Sequence, residues 1–274
     1  MTIKIDASQI DRGIPHNRIM IAGILVSLAF LYLTYLNEVL GTDLFSFCGG
    51  LATIAAIVWG SDANKILNSY GLATGVPSAG IIGFGAGVGA MLISTLFGVY
   101  TPLVALAAAA VTGLVFGYLA NRVLAMNIPV MVRSLTELSA ASALTLLGLA
   151  ALVNGGLSFD RFATEGSGLF IQGGLIVVVF MLGAMAIQHP WNAVLPTGKQ
   201  DRMFMLAAEC GFLSMMMAAI LSFAVISTGA ALVSLALACV CWLYTYRRYI
   251  SMSRRDAAAW LDTKPIPEME GHDP

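Results

Sequence analysis

The residues with the clearest chemical potential are two acidic side chains inside long apolar segments, Glu137 and Glu209. A carboxylate within a bilayer costs several kcal/mol, so such a group faces protein or water and often marks an ion pathway. Glu137 follows Arg133 by four residues, a spacing that allows an ion pair on one helix face. Glu209 follows Arg202 by seven residues and has no local partner. Both are predicted as ion-path candidates, with structural pairing as the alternative.

Three hydroxyl side chains, those of Ser134, Thr136 and Ser139, lie close to Glu137 in sequence. Hard cations such as sodium require several oxygen ligands. This neighbourhood is therefore compatible with a sodium route, but an ion pair between Glu137 and Arg133 near the membrane boundary explains the same residues.

Histidine and cysteine do not form a recognisable metal or cofactor site. His189 stands beside Pro190 and Trp191 at a predicted membrane boundary, a setting typical of helix capping or interface anchoring. The other two histidines are His16 and His272. The four cysteines lie inside apolar segments without CxxC spacing, at Cys48, Cys210, Cys239 and Cys241. No catalytic residue, cofactor-binding residue or metal ligand is assigned to this chain.

Glycines recur in the third apolar segment at spacings that favour helix packing. Gly83 and Gly87, and likewise Gly85 and Gly89, are four residues apart. Small residues at this spacing let helix backbones approach closely in a membrane. A phosphate-binding loop would need a preceding strand and usually a lysine, which are not predicted here.

The composition places these residues in a membrane protein. Hydrophobic residues make up 58% of the chain, charged residues 11%, and the mean hydropathy is +0.85. A membrane-spanning helix needs about 20 mostly apolar residues. We therefore expect an all-α integral membrane protein with about eight transmembrane helices. Their approximate ranges are 19–36, 44–60, 79–98, 101–120, 134–153, 168–188, 204–226 and 229–246.

The distribution of basic residues predicts the orientation. Of the 14 Lys and Arg residues, 13 lie in alternate gaps between the apolar segments, and Arg161 lies in the other set. Basic loops stay in the cytoplasm during insertion. This asymmetry predicts a multi-pass protein of the cell membrane with both termini cytoplasmic. A seven-span count would place Arg247 and Arg248 on the outer face, so eight spans are preferred.

The two halves of the chain resemble each other. Tyr118 and Arg122 match Tyr244 and Arg248 at an offset of 126 residues. An even number of spans per repeat predicts parallel repeats related by an axis along the membrane normal. The predicted organisation is a cytoplasmic N-terminal segment, a first four-helix repeat, a second four-helix repeat and a cytoplasmic acidic tail, at 1–18, 19–127, 128–250 and 251–274.

Several strings in the connecting segments carry a family resemblance. They are Gly71 to Ser78, Asn127-Ile128-Pro129-Val130-Met131, His189 to Asn192 and Lys199 to Arg202. Through them the chain resembles the C subunit of the tetrahydromethanopterin S-methyltransferase complex of methanogenic archaea. The likeness extends from about Gly13 to Arg255 and fades in the acidic tail.

The resemblance implies a non-catalytic membrane subunit of a complex that moves a methyl group from a methylated pterin to coenzyme M, with sodium as coupling ion. It implies a corrinoid on another subunit and no cofactor in this chain. Expected partners are other membrane and cytoplasmic subunits and membrane lipids, with no nucleic acid. An autonomous secondary transporter, favoured by parallel repeats, and a structural or lipid-binding scaffold remain alternatives.

Overall fold

The computed structural model describes residues 13–69, 76–128, 130–157 and 199–263 of the chain. Every regular element in these ranges is helical. The helices are α1 (His16–Thr34), α2 (Leu36–Leu40), α3 (Phe47–Ser69), α4 (Val76–Ser94), α5 (Thr101–Tyr118), α6 (Met131–Asn154), α7 (Gln200–Ser222) and α8 (Thr228–Thr263).

Six helical stretches in the described ranges are long and apolar enough to cross a membrane. The longest of these, Ala79–Val123, has 45 residues and is broken at Gly98, so it comprises α4 and α5, which pack against each other. Gly98 has φ 54° and ψ −124°, a conformation that favours glycine. Within the described ranges, the prediction of an all-α multi-pass membrane protein is confirmed. The predicted span 168–188 lies outside the described residues.

Helix α6 is the centre of the bundle, because α1, α3, α4, α5 and α7 all pack against it. Nearly all of its side chains are buried. It crosses α3 where Gly49 faces Gly148, and a Cβ added to Gly49 would lie 2.5 Å from the carbonyl oxygen of Gly148. Nearby, the Thr53 hydroxyl donates to the carbonyl oxygen of Thr145 at 3.0 Å. Small residues thus allow the close backbone contact on which the bundle is built.

Long-range hydrogen bonds join the segments before and after the helices at the two ends of the bundle. At one end, Asn37 donates to the carbonyl oxygen of Gly155 at 2.7 Å, and the Ser227 amide donates to Asp43 at 3.0 Å. At the other end, the start of α7 contacts the segment before α1 through Gln200. Helices α1, α6 and α7 therefore run from this second end to the first, and α3 runs in the opposite direction.

Two helices extend well beyond their predicted ends. Helix α3 continues to Ser69 instead of ending near residue 60, so Asp62 lies within it. Helix α8 continues to Thr263, well beyond the predicted end at residue 246. The gap between the predicted spans 204–226 and 229–246 lies slightly earlier, because α7 ends at Ser222 and α8 begins at Thr228.

The outward surface of the bundle is apolar. Leu96 is 83% exposed and Val111 is 63% exposed, and many other large apolar side chains on α1, α4, α5 and α8 are also accessible. Such a surface is typical of a protein that faces lipid or neighbouring subunits. The division into two parallel repeats stays a prediction, since much of the second repeat lies in residues 158–198.

Candidate functional site: a buried charged cluster

A cluster of charged side chains joins α1, α3, α6 and α7 at one end of the bundle. It is built around His16, the first residue of α1, which follows Pro15 at the helix N-cap. The His16 ring contacts Asp62 through Nδ1 at 2.6 Å and Glu137 through Nε2 at 2.6 Å. A neutral imidazole has one N–H, so only the protonated ring donates both hydrogen bonds. The geometry therefore fits an imidazolium between two carboxylates.

Glu137 accepts hydrogen bonds from three different side chains. Arg133 Nε donates to Oε1 at 2.7 Å, and Trp59 Nε1 donates to Oε2 at 3.0 Å. His16 contacts the same Oε2 atom. Arg133 is oriented in turn by Asn17, whose Oδ1 atom accepts from its guanidinium at 2.8 Å. Both carboxylate oxygens of Glu137 thus have partners, and the residue is 6% exposed.

Asp62 is held from the opposite side by Gln200. The amide nitrogen of Gln200 donates to Asp62 Oδ1 at 3.2 Å and to the carbonyl oxygen of Ile14 at 3.0 Å. The Ile14 amide donates back to Gln200 Oε1 at 2.6 Å. Gly13 leaves room for this arrangement, because a Cβ there would overlap Gln200 Oε1. Through Gln200, the start of α7 therefore links the segment before α1 to the cluster.

The four ionised groups of the cluster balance one another. With His16 protonated, His16 and Arg133 carry two positive charges, and Asp62 and Glu137 carry two negative charges. Removing one charge from such a buried group leaves its partner uncompensated, which is strongly unfavourable. Because each charge has a partner, the arrangement is suited to holding four chain segments together.

Of the two ion-path candidates, only Glu137 belongs to this cluster. Its predicted ion pair with Arg133 is present, but the carboxylate is buried and has further partners. The hydroxyl of Thr136 donates instead to the backbone carbonyl of Val132 at 2.8 Å. Glu209 lies more than two helical turns from Gln200 on α7 and is partly buried. Its Oε2 atom is buried and has no hydrogen-bond partner among the described residues.

Comparison with known proteins assigns the family. The family model MtrC, which describes the C subunit of tetrahydromethanopterin S-methyltransferase, matches residues 1–270. The chain belongs to this family.

Curated relatives that carry the name of this methyltransferase component agree over most of the chain. The Methanothermobacter marburgensis protein is 37% identical over 268 residues, covering 95% of this chain and 96% of the relative. The Methanosarcina barkeri protein is 36% identical over 260 residues, 94% of each chain. The Methanothermobacter thermautotrophicus protein is 36% identical over 253 residues, 90% of this chain and 91% of the relative.

Sequence patterns in this member of the MtrC family do not predict most of the cluster. They give His16 no partner, and they place Asp62 outside the second span because the apolar run ends near residue 60. The sequence feature that could have indicated the cluster is the pair of Trp59 and Asp62, which lie three residues apart at the end of an apolar segment. Gln200 gives no signal, because its contacts reach residues far away in the chain.

The four glycines of α4 that are predicted to favour helix packing divide between two environments. A Cβ on Gly83 would lie 2.9 Å from Leu138 Cβ, and a Cβ on Gly87 would lie 2.7 Å from Ser142 Cβ. Both positions therefore face α6. Gly85 and Gly89 have no described atom within 4 Å of such a Cβ and line a shallow groove between α4 and α5.

Proposed function

We propose that this chain is an integral membrane subunit of a complex that transfers a methyl group from methyl-tetrahydromethanopterin, or a related pterin, to coenzyme M in methanogenesis. The transfer is coupled to sodium translocation across the cell membrane. This chain contributes to the membrane assembly around the ion path, and the methyl-transfer site lies on other subunits. Family membership over nearly the whole chain supports this proposal.

The charged cluster is the main observation in support of a structural role for this chain, with methyl transfer on other subunits. Its carboxylates and basic groups are directed at one another across four chain segments. A site for transferring a group between two large substrates needs an accessible pocket with unengaged polar groups. The cluster is instead buried and internally paired, which is the arrangement expected of a device that holds membrane helices in place.

The described residues do not fit axial ligation of a corrinoid. Such a ligand is usually a histidine nitrogen, and within the described ranges the chain offers His16. Both of its ring nitrogens are 2.6 Å from carboxylate oxygens, so neither is available to a metal. This geometry supports a corrinoid on another subunit, and no step of the transfer is assigned to this chain.

Glu209 is the better candidate for a contact with the transported sodium ion. Glu137 already accepts hydrogen bonds on both oxygens, and its ligation of sodium would require breaking the cluster. Glu209 Oε2 has no described partner, and a carboxylate in an apolar helix is costly unless a cation or water approaches it. The proposed path therefore borders α7, with Glu137 as a structural partner of Arg133.

The proposed orientation places both termini in the cytoplasm. The end of the bundle that carries the charged cluster also carries Arg18, Arg122, Arg133, Lys199 and Arg202. The positive-inside rule assigns that end to the cytoplasmic side.

Purification in mild detergent tests the proposal. A tagged copy of this chain is expected to comigrate with a corrinoid-bearing subunit, and the complex is expected to transfer methyl groups in a sodium-dependent manner. The chain purified alone is expected to show neither methyl transfer nor sodium transport in proteoliposomes. Methyl transfer by the single chain would overturn the subunit assignment, and sodium transport by the single chain would identify it as an autonomous transporter.

A further inference from the structure

We propose that one face of α8 binds an anionic membrane lipid. The site is a shallow groove of about 510 Å³ lined by Val240, Leu243, Tyr244, Arg247, Arg248 and Ser251. Apolar side chains line its first part and polar side chains its second, so it matches a molecule with a hydrocarbon chain and a charged head.

The groove lies on the side of α8 that faces away from its neighbour α7. Thr245 is 5% exposed, and Tyr249 packs against the apolar cluster that Met203 and Leu206 of α7 form. By contrast, Val240 is 68% exposed and Tyr244 is 59% exposed. Because residues four apart share one helix face, the exposed stripe continues from these two side chains to Arg247 and Arg248.

The aromatic residues of α8 locate a membrane boundary at the same level. The helix has 36 residues, a length of about 54 Å, which exceeds the roughly 30 Å of the hydrocarbon core. Trp242 and Tyr246 stack with ring centroids 5.4 Å apart, and such residues concentrate at the membrane interface. Arg247 is the first charged residue after this stack. The two arginines therefore lie at the depth of lipid headgroups.

The charge of the groove specifies the class of headgroup. Neither Arg247 nor Arg248 has an ion pair or hydrogen bond with any residue that the structure describes. Farther along the helix, Asp256 pairs with Lys199 at 3.1 Å, so basic groups near α8 do find acidic partners where these exist. Arginine forks bind phosphate through two parallel hydrogen bonds. Ser251 adds a hydroxyl donor, and the combination fits the phosphate of an anionic phospholipid.

A photocrosslinking experiment on the assembled complex tests this site. The complex is placed in phosphatidylcholine nanodiscs that contain a small fraction of phosphatidylglycerol with a diazirine on its acyl chain. Crosslinks are mapped by mass spectrometry, and they are expected at Val240 and Leu243. The same label on phosphatidylcholine is expected to give much weaker capture there, because the neutral headgroup lacks the net charge that the arginines attract. Equal capture of the two probes at these residues would overturn the proposal.

Paired variants separate headgroup binding from general loss of charge. Arg247→Gln with Arg248→Gln is expected to lower capture of the anionic probe on the order of tenfold. The matched control is Arg254→Gln with Arg255→Gln, which removes the same charge from exposed positions farther along α8 and is expected to leave capture unchanged. Loss of another subunit from the first variant with unchanged lipid capture would show that the groove binds an acidic protein segment, and would contradict the proposal.

Discussion

At the scale of single residues, His16 holds a position that no other described side chain can fill. It alone contacts both Asp62 and Glu137, at 2.6 Å each, and joins two helices that are far apart in sequence. Arg133 offsets one carboxylate, but Gln200, the other described contact of Asp62, carries no charge. The ring of His16 therefore supplies the charge that makes the cluster neutral.

Replacement of His16 is expected to destabilise the subunit strongly. His16→Gln leaves a buried excess of negative charge, and breaking a buried ion pair in this way costs about 3–5 kcal/mol. The expected result is a marked fall in the Tm of the purified complex. Adding Asp62→Asn to His16→Gln removes the excess charge and is expected to recover part of the loss.

Arg18→Gln is the matched control for this prediction. Arg18 is exposed and lies two residues after His16 on the same helix. Its replacement is expected to leave the Tm almost unchanged. A His16→Gln complex with the Tm of the unaltered complex would show that the cluster does not hold the helices.

Only some contacts of this cluster are predictable from the sequence. The pair of Arg133 and Glu137 could be predicted, because their spacing of four residues places them on one helix face. The contact of His16 with Glu137 spans 121 residues and depends on how three helices pack, which no local pattern encodes. The prediction that Asp62 lies outside the second span is wrong. Gly60 and Ser61 resemble the end of a span, but the helix continues through them.

At the scale of helices, the packing of α4 on α6 depends on glycines that face the neighbouring helix. Gly87→Ala would place its Cβ 2.7 Å from Ser142 Cβ and 2.8 Å from the backbone nitrogen of Ala143. Because the helix backbone cannot yield easily, the change is expected to cost about 1–3 kcal/mol. A lower Tm of the assembled complex is the expected observation.

Gly85→Ala provides the comparison within the same helix. A Cβ at this position has no described atom within 4 Å, so the substitution adds the same methyl group without a clash inside this chain. It is expected to leave the fold of the subunit intact, as judged by the circular dichroism and the yield of the purified chain. Equal losses for Gly85→Ala and Gly87→Ala on that measure would contradict the packing of α4 described above.

The helices themselves are largely predictable, because long apolar segments have few alternatives in a membrane. The predicted ranges 101–120 and 134–153 nearly coincide with α5 and α6. The extension of α8 to Thr263 is not predicted because the apolar run ends at Tyr246, whereas the helix continues as a polar segment held by Asp256. Apolarity predicts the part of a helix inside the bilayer and does not detect its extension into water.

At the scale of the whole molecule, the predicted topology can be checked by cysteine labelling in a background without the four native cysteines. Single cysteines at the exposed positions 122–127 and at Lys199 are expected to react with an impermeant reagent only from the cytoplasmic side. Single cysteines in 160–166 are expected to react from the outside. Labelling of a cysteine at Lys199 from the outside would rule out the eight-span arrangement.

The proposed role of Glu209 in sodium coupling is tested most directly by the sodium dependence of methyl transfer in complexes that carry Glu209→Gln. Complexes that carry Glu137→Gln are the comparison. Glu209→Gln keeps the side-chain volume but removes the charge that offsets ion desolvation, so weakened sodium stimulation in an assembled complex of unchanged Tm is expected. Glu137→Gln is expected to lower the Tm without changing the sodium response of the complex that survives, because Glu137 belongs to the charged cluster. An assembled Glu209→Gln complex with an unchanged sodium response would contradict the coupling role and would leave this subunit as a scaffold beside the conduction pathway.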